Sequence, residues 1–180
     1  MQSSDAHDAP MRRVMVIGCG GAGKSTLAKK LAERSALPLI HLDLHHWRPG
    51  WQLPDRTDWR AQVAALAAAP EWVIDGNYSN TYDIRMPRAD TLIWLDYPRP
   101  TCLRRVLLRT VKGYGRARPD LPEGCPERFD FAFLRYVWDF PTKHRPRIVG
   151  AIERFGGHFH LIRLGNDREA DAFLATLGTA

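Results

Sequence analysis

Five short segments of the chain are apolar at almost every position, and stretches with helical spacing separate most of them. All-apolar runs of this length are typical of parallel strands that are buried on both faces. Strands that alternate with helices predict an α/β protein in which helices cover both faces of a parallel sheet. The predicted strands are residues 14–17, 39–42, 72–74, 92–95 and 159–164, and helices are predicted at 25–34, 58–69 and 101–112.

A long interval separates the fourth and fifth predicted strands. Residues 113–126 are rich in glycine and proline and are expected to form a loop. Apolar residues then recur three and four positions apart over 129–140 and 146–155, which predicts two more helices.

The length and composition of the chain indicate one globular domain. Its 180 residues suit a single core, which we expect within 12–180 after a loose tail at 1–11. No window approaches the roughly 18 consecutive apolar residues of a membrane-spanning helix, and no secretory signal is evident. The three cysteines are too few and too scattered for a disulfide framework or a zinc finger, and Cys19 is expected to be exposed. We therefore expect a cytoplasmic protein that does not enter a membrane.

The formal net charge is +6, and 21 of the 26 basic residues are arginines. Because the planar guanidinium group binds phosphate at two points, this composition is compatible with a nucleotide or nucleic acid partner. A general preference for arginine in the source organism explains the composition equally well. No helix-turn-helix or basic arm is evident, which argues against nucleic acid.

Residues 18–25, GCGGAGKS, fit the pattern G-x-x-x-x-G-K-[ST] between a predicted strand and a predicted helix. Glycines allow the backbone N–H groups to surround a phosphate, and the start of the helix adds positive potential. Lys24 can then reach the β- and γ-phosphates, and the Ser25 hydroxyl can bind Mg²⁺. We expect ATP and Mg²⁺ as cofactors. The predicted cofactor-binding residues are Gly18, Gly20, Gly21, Ala22, Gly23, Lys24, Ser25 and Thr26.

The same glycines also fit the dinucleotide pattern G-x-G-x-x-G, and Asp43 lies where a ribose-binding acid is found in such proteins. A dinucleotide-binding fold has no use for Lys24 and Ser25 at the start of the helix. The nucleoside triphosphate interpretation is therefore preferred.

Three aspartates, Asp43, Asp75 and Asp96, lie at the carboxyl ends of predicted strands. Ligands of open parallel sheets bind at these ends, so one acid is expected to hold Mg²⁺ through water and one to accept a proton. We assign such functions to Asp43 and Asp75, for which a helix cap and a turn are the alternatives. For Asp96 a turn before Pro98 is preferred.

Histidines and tryptophans cluster after the second predicted strand. The spacing of His41, His45 and His46 matches no standard metal site, so a structural or substrate-lining role is preferred. The nearby tryptophans either stack on a base or sugar or pack in the core, and neither alternative is excluded. They are Trp47, Trp51 and Trp59, accompanied by Arg48, Arg56 and Arg60.

Six arginines in and after the third main helix are candidates to neutralise charge during phosphoryl transfer. A solvated basic surface is the alternative. The six are Arg105, Arg109, Arg116, Arg118, Arg145 and Arg147, of which we select Arg109 and Arg116 as catalytic.

The order of elements resembles the adenylate-kinase-like branch of phosphate-loop kinases, and several motifs resemble the family often labelled DNA topology modulation protein. The resemblance implies a three-layer P-loop NTPase fold with a five-stranded parallel sheet in the order 2-3-1-4-5. It also implies an acceptor-binding segment at about 44–60, a lid at about 113–127, and ATP with Mg²⁺. The family label describes a regulatory phenotype and implies no substrate. The motifs lie at 16–25, 41–43, 74–78, 94–96, 118–120 and 123–127.

By position, Lys24 and Ser25 match the triphosphate and Mg²⁺ residues of phosphate-loop kinases. Asp75 matches the acid that ends the third strand of adenylate kinases beside the Mg²⁺ site. Asn77 and Tyr78 replace the Phe-Pro-Arg of adenylate kinases. An acid at the position of Asp43 is similar to that of shikimate, gluconate and nucleoside kinases, where it contacts the acceptor hydroxyl.

These observations predict a kinase that transfers the ATP γ-phosphate to a small-molecule acceptor, with a hydroxyl of a nucleoside, sugar or organic acid preferred. Lys24, Asp43, Arg109 and Arg116 are the predicted catalytic residues, and Ser25 and Asp75 the predicted metal residues. The alternatives are a nucleoside monophosphate kinase and an ATP-switched regulatory or DNA-binding protein. A monomer or a homodimer is expected.

Overall fold

A computed structural model describes residues 11–116 and 119–177 of the chain. Its centre is a five-stranded sheet with the order β2-β3-β1-β4-β5, in which every neighbouring pair is parallel. The predicted fold class and strand order are thus confirmed. The strands are β1 (Arg13–Gly18), β2 (Leu39–His41), β3 (Trp72–Asp75), β4 (Thr91–Leu95) and β5 (His160–Leu164).

Helices pack on both faces of this sheet. Two 3-10 turns, Ser79–Thr81 and Met86–Arg88, flank the short fourth helix. The helices are α1 (Lys24–Ser35), α2 (Leu42–His46), α3 (Arg56–Ala67), α4 (Tyr82–Arg85), α5 (Arg99–Gly113), α6 (Phe131–Asp139), α7 (Arg145–Phe155) and α8 (Asp167–Thr176).

The position of each strand in the sheet explains its sequence. The central strands β1, β3 and β4 are buried along almost their whole length, so apolar side chains occupy both of their faces. The edge strand β5 instead exposes His160, Leu161 and Arg163. The core therefore lies on both sides of β1, and the loop that follows β1 emerges from the middle of the sheet.

Most element boundaries differ from the sequence prediction by one or two residues, and two of these differences concern the site. β2 ends at His41, and Leu42 already belongs to α2, so Asp43 lies in the first turn of a short helix and not at the end of a strand. The helix predicted at 129–140 begins at Phe131, because the Asp130 side chain accepts a hydrogen bond from the backbone N–H of Phe133 and caps the helix.

α6 and α7 are joined by a π-type turn, Phe140–His144. Pro141 lies in this turn and has no backbone N–H, so the regular helical ladder cannot pass through it unchanged. The predicted tail at 1–11 lies outside the described residues except for Met11, which packs against the core. Among helices of the described ranges, none is both long and apolar enough to cross a membrane.

Candidate active site

A cavity of about 1080 Å³ opens where the loops after β1, β2 and β3 meet. Its volume is at the upper end of the range for small-molecule sites, which suits a nucleotide together with a second substrate. The structure brings most predicted site residues to its wall. These are Gly20, Gly21, Gly23, Lys24, Ser25, Thr26, Asp43, Asp75 and Arg109.

The loop between β1 and α1 is tightly enclosed by its neighbours. A Cβ atom on Gly21, whose φ is +83°, would lie 2.4 Å from the carbonyl oxygen of Cys102 in α5. A Cβ on Gly20 would lie 2.6 Å from Cζ of Phe133 in α6. At position 21 the obstacle is backbone and only glycine fits, whereas at position 20 the Phe133 ring would have to move. The packing of α5 against Gly21 therefore fixes the path of the loop.

The start of α1 is open to an anion. Gly23 provides no side-chain cap, and no acidic residue lies in the first turn. The backbone N–H groups of Lys24, Ser25 and Thr26 have no carbonyl partner within the helix, and the helix dipole makes this end positive. The Lys24 ammonium group donates a 3.0 Å hydrogen bond to the Cys19 carbonyl, so it lies across the loop. This arrangement fits the phosphates of a nucleotide.

Asp75 is buried at the end of β3 and has one free carboxylate oxygen. Its Oδ2 lies 3.0 Å from Nδ1 of His41, and this carboxylate is the main cause of the raised pKa of His41. Its Oδ1 is buried and has no hydrogen-bond partner among the described residues. An unpaired buried carboxylate oxygen on the cavity wall that also carries Ser25 fits a hydrated Mg²⁺ ion, for which oxygen ligands and waters are preferred.

Asp43 lies beside Tyr78, whose hydroxyl donates a 2.5 Å hydrogen bond to Oδ1 of Asp43. Burial raises the pKa of Asp43, and the hydrogen bond from Tyr78 partly offsets this effect. The pKa of Tyr78 is also raised, mainly by burial. Asp43 is therefore a carboxylate on the cavity wall with an increased affinity for a proton, which is the property that a general base requires.

Arg85 is fully buried beneath the loop that carries Tyr78. Its guanidinium donates to the carbonyl oxygens of Gly76 (2.9 Å) and Asn77 (2.6 Å). It also donates to the Tyr78 carbonyl and to the Thr81 hydroxyl. Desolvation lowers its pKa to about 10, so the group is still charged at neutral pH. Sequence analysis missed Arg85 because its partners are mainly backbone oxygens, which no side-chain pattern reveals.

The six candidate arginines occupy different surroundings. Arg109 is on the cavity wall, where its Nε lies 3.3 Å from a carboxylate oxygen of Glu127. Arg105 is on the same wall, and its Nη1 would lie 3.9 Å from a Cβ on Gly23. Arg147 also lines the cavity, whereas Arg116 is exposed and lies outside the wall. Arg118 lies outside the described residues.

The remaining candidate, Arg145, has a structural partner in Asp96. The Arg145 guanidinium donates two hydrogen bonds of 3.0 and 3.1 Å to Asp96 Oδ2, and Arg163 pairs with the same carboxylate. Asp96 does not line the cavity. It therefore connects β5 and α7 to the end of β4, a more specific role than the predicted turn.

The histidines and tryptophans divide between core and cavity. His46 packs against Trp59 and Tyr78 with ring centroids 4.5 Å away in each case, and burial lowers its pKa to about 4. Trp47 and Trp51 line the cavity and lie edge to face, 5.2 Å apart. Within the described ranges, no cluster of three or more His, Cys, Asp or Glu side chains is arranged to hold a metal ion.

Two contacts join the predicted lid to the predicted acceptor-binding segment. The backbone N–H of Gly50 donates to the Gly124 carbonyl at 2.9 Å, and the Cys125 thiol donates to the Arg48 carbonyl at 3.2 Å. The two segments therefore touch, and each also contributes residues to the cavity wall. Cys19, predicted to be exposed, is buried against the Val137 carbonyl because α6 covers the phosphate loop, and all three cysteines are free.

No protein-family model and no curated protein sequence matches the chain. Solved structures of similar fold include a shikimate kinase from Acinetobacter baumannii in complex with shikimate, with a TM-score of 0.59, 14% identity and coverage of 92% of this chain and 90% of that one. A gluconokinase from Sinorhizobium meliloti 1021 has a TM-score of 0.52 and 18% identity over 94% of both chains. A shikimate kinase from Bacteroides thetaiotaomicron has a TM-score of 0.51 and 21% identity, covering 93% of this chain and 96% of that one. The chain thus has the fold of phosphate-loop kinases that act on small molecules.

Proposed function

We propose that this protein is an ATP-dependent kinase that transfers the γ-phosphate to a hydroxyl group of a small molecule. One observation carries the proposal: the phosphate loop and a buried carboxylate with a raised pKa, Asp43, face the same cavity. A small-molecule kinase needs both a triphosphate site and a group that receives the hydroxyl proton within one enclosed space.

The nucleotide half of the site consists of the phosphate loop and the start of α1. Lys24 and the N–H groups of the first turn bind the phosphates of ATP, and Thr26 completes this end of the helix. Ser25 and Asp75 are the residues that hold Mg²⁺, directly or through water, and the bound ion supplies charge neutralisation at the phosphates. Arg109 and Arg105, on the same wall, add positive charge there.

The acceptor half contains Asp43, held by Tyr78. In the reaction, the acceptor oxygen forms a bond to the γ-phosphorus while the bond between this phosphorus and the β–γ bridging oxygen breaks. ADP leaves with the electron pair of the broken bond, and Asp43 accepts the hydroxyl proton. The contacts between segments 44–60 and 113–127 support a lid that excludes water from the reacting phosphate.

Membership of the DNA topology modulation family, a cytoplasmic location and a monomeric or homodimeric state are part of the same proposal. The motifs at 74–78 and 123–127 support the family assignment. Arg116 is also proposed as a catalytic residue. Its side chain lies outside the cavity wall, so this role requires the loop after α5 to move.

One observation favours a second candidate, a nucleoside monophosphate kinase. Arg147 lines the cavity but forms no ion pair with a carboxylate of the described residues. A guanidinium without a carboxylate partner is suited to binding a phosphate group of an acceptor. A bisubstrate dinucleotide polyphosphate inhibitor separates the two candidates, because a monophosphate kinase binds it tightly and a hydroxyl kinase binds it poorly.

The test is ADP release from ATP and Mg²⁺ over a panel of nucleosides, nucleoside monophosphates, sugars and hydroxy acids. Lys24→Ala is the blank, and Asp43→Asn distinguishes the two acceptor chemistries. Stimulation by a hydroxyl acceptor that both variants abolish supports the proposal. Turnover of ATP by Lys24→Ala at the parental rate contradicts it. ATP binding without any stimulating acceptor favours the regulatory alternative, which salt-dependent DNA binding then tests.

A further inference from the structure

The side chain of Asn77 pairs with both backbone polar groups of Gly18. Its Oδ1 accepts a 2.9 Å hydrogen bond from the Gly18 N–H, and its Nδ2 donates a 2.6 Å hydrogen bond to the Gly18 carbonyl. Gly18 is the last residue of β1 and the first of the phosphate loop. The amide therefore holds the loop at the point where it leaves the sheet.

The geometry shows why a side-chain amide is needed there. The β1–β3 ladder ends with the pairing of Val16 and Asp75, and the N–H of Gly76 donates to the Val16 carbonyl at 3.2 Å. Beyond this point the backbone of β3 turns away, with φ of +139° at Gly76. The side-chain amide of Asn77 then replaces the missing peptide group of the neighbouring strand, because it offers one acceptor and one donor to Gly18.

A third hydrogen bond connects Asn77 to α6. Its Nδ2 donates to the Tyr136 hydroxyl at 2.7 Å. Tyr136 belongs to a face of α6 that lies against the phosphate loop, because Phe133 and Val137 are the nearest neighbours of Gly20. α6 follows the predicted lid in the chain, so Asn77 links the phosphate loop to the helix that the lid leads into.

We infer that Asn77 is a positioning residue for nucleotide binding, and that it couples the phosphate loop to α6 through Tyr136. The inference rests on one part of the proposed function, which is the binding of a nucleotide. Asn77 fixes the donors that bind phosphate before the ligand arrives. The Tyr136 hydroxyl connects α6 to the same hydrogen-bonded unit. The phosphate loop and this helix, which follows the lid, therefore respond together to nucleotide binding.

The test is a double-mutant cycle with Asn77→Ala, Tyr136→Phe and the double variant of the full chain. The probe is Mg·ADP, whose Kd is measured by calorimetry, with the melting temperature of each variant recorded. We expect Asn77→Ala to weaken binding by about tenfold, because two hydrogen bonds to the loop are lost. Tyr136→Phe alone is expected to weaken it by about threefold, and to add no further loss in the Asn77→Ala background.

Asn166→Ala is the matched control. Asn166 caps α8 by accepting a hydrogen bond from the Glu169 N–H, and it lies outside the cavity wall. Its loss is expected to lower the melting temperature with the Kd unchanged. An effect of Asn77 that is merely structural would follow the same pattern, lowering the melting temperature without changing the Kd, and would overturn the inference.

The remaining outcomes are distinct. Equal nucleotide affinity of the parent and Asn77→Ala overturns the positioning role and leaves the proposed kinase intact, whereas a parent that binds no Mg·ADP overturns the proposed function itself. Additive losses in the double variant overturn the coupling through Tyr136. If Asn77→Ala does not fold, Tyr136→Phe still decides, since unchanged affinity in that variant contradicts the coupling.

Discussion

The hydroxyl of Tyr78 and the carboxylate of Asp43 are joined by a 2.5 Å hydrogen bond, although Asp43 lies in α2 and Tyr78 in the loop after β3. Tyr78 lies three residues after Asp75, in the segment whose carbonyls Arg85 holds. The position of the candidate base is thus set by the same short segment that begins with the candidate Mg²⁺ residue.

The first prediction concerns Tyr78→Phe. The hydrogen bond from Tyr78 lowers the pKa of Asp43, so its removal raises that pKa further. A base acts only when it is ionised. The acid limb of the pH profile for phosphoryl transfer should therefore move to higher pH. The measurement is kcat/KM against pH with the acceptor found in the panel.

Tyr97→Phe is the control for this shift. The Tyr97 hydroxyl also donates to a carboxylate, Asp167, at 3.0 Å, but neither residue lines the cavity. The pH profile of this variant should match that of the parent. An unshifted pH profile for Tyr78→Phe would show that the acid limb does not report the titration of Asp43.

The second prediction is that Asp43→Asn is more stable than the parent at neutral pH but inactive in transfer. The pKa of Asp43 is raised in the folded chain, so the parent loses stability as pH rises from the ordinary carboxyl range through that raised value. Asparagine does not titrate and can still accept from Tyr78. We expect a higher melting temperature for the variant at pH 7.

The difference between Asp43→Asn and the parent should shrink below the ordinary carboxyl pKa of about 4, where both side chains are neutral. Thermal unfolding monitored by circular dichroism across this range is the measurement. A parent that is more stable than the variant at pH 7 would contradict the assignment of Asp43 as a carboxylate destabilised by burial.

The third prediction concerns Arg85→Met. This substitution keeps an apolar side chain of similar length but leaves the carbonyls of Gly76, Asn77 and Tyr78 without their donor. Unpaired buried carbonyls are costly, so we expect a loss of about 3 kcal/mol or more in the free energy of unfolding. Urea titration provides the value.

Arg88→Met is the comparison for Arg85→Met. Arg88 also donates to backbone carbonyls, those of Ala67 and Ala68, but it is exposed and water can replace it. A loss of less than about 1 kcal/mol is expected there. Equal losses for the two arginines would refute the special role of Arg85 beneath the loop.

The fourth prediction compares Gly21→Ala with Gly150→Ala. At Gly21 the new methyl group would lie 2.4 Å from the Cys102 carbonyl in a backbone with φ of +83°. Gly150 lies within α7, where a new methyl group would meet no neighbouring atom within 4 Å. Alanine at position 150 should stabilise the chain by about 0.5–1 kcal/mol, whereas alanine at position 21 should destabilise it and abolish binding of Mg·ADP.

Melting temperatures and calorimetric titrations of both variants provide the check. Normal nucleotide affinity in Gly21→Ala would mean that the loop can move away from α5. The packing that encloses the loop would then be less rigid than the contacts with Cys102 and Phe133 indicate.

The fold could be predicted because its information is local in the sequence. Strands that are buried on both faces must be apolar throughout. This pattern is visible within a few consecutive residues, as at residues 72–74 and 92–95. The phosphate loop is equally local, since the glycines, Lys24 and Ser25 act within one turn. The place of Asp75 on the cavity wall could be predicted because strand ends meet at one edge of a parallel sheet.

The contacts within the site could not be predicted in the same way. Asn77 and Gly18 are 59 residues apart, and Asn77 and Tyr136 are also 59 apart, so only the folded chain shows that they meet. The arginines illustrate the same limit. Arg105 and Arg109 share one face of α5 and reach the cavity together, whereas Arg116 follows the end of the helix and lies outside the cavity wall.

Different segments of the chain form different parts of the site, and this separation has a consequence for engineering. Residues 75–78 contact His41, the phosphate loop and the candidate base, so a substitution there alters several functions at once. Trp47 and Trp51 line the cavity from a separate segment that does not touch Gly18 or Lys24 through any hydrogen bond of the described residues. A library that varies these two tryptophans can therefore search for new acceptors while the machinery for ATP is left unchanged.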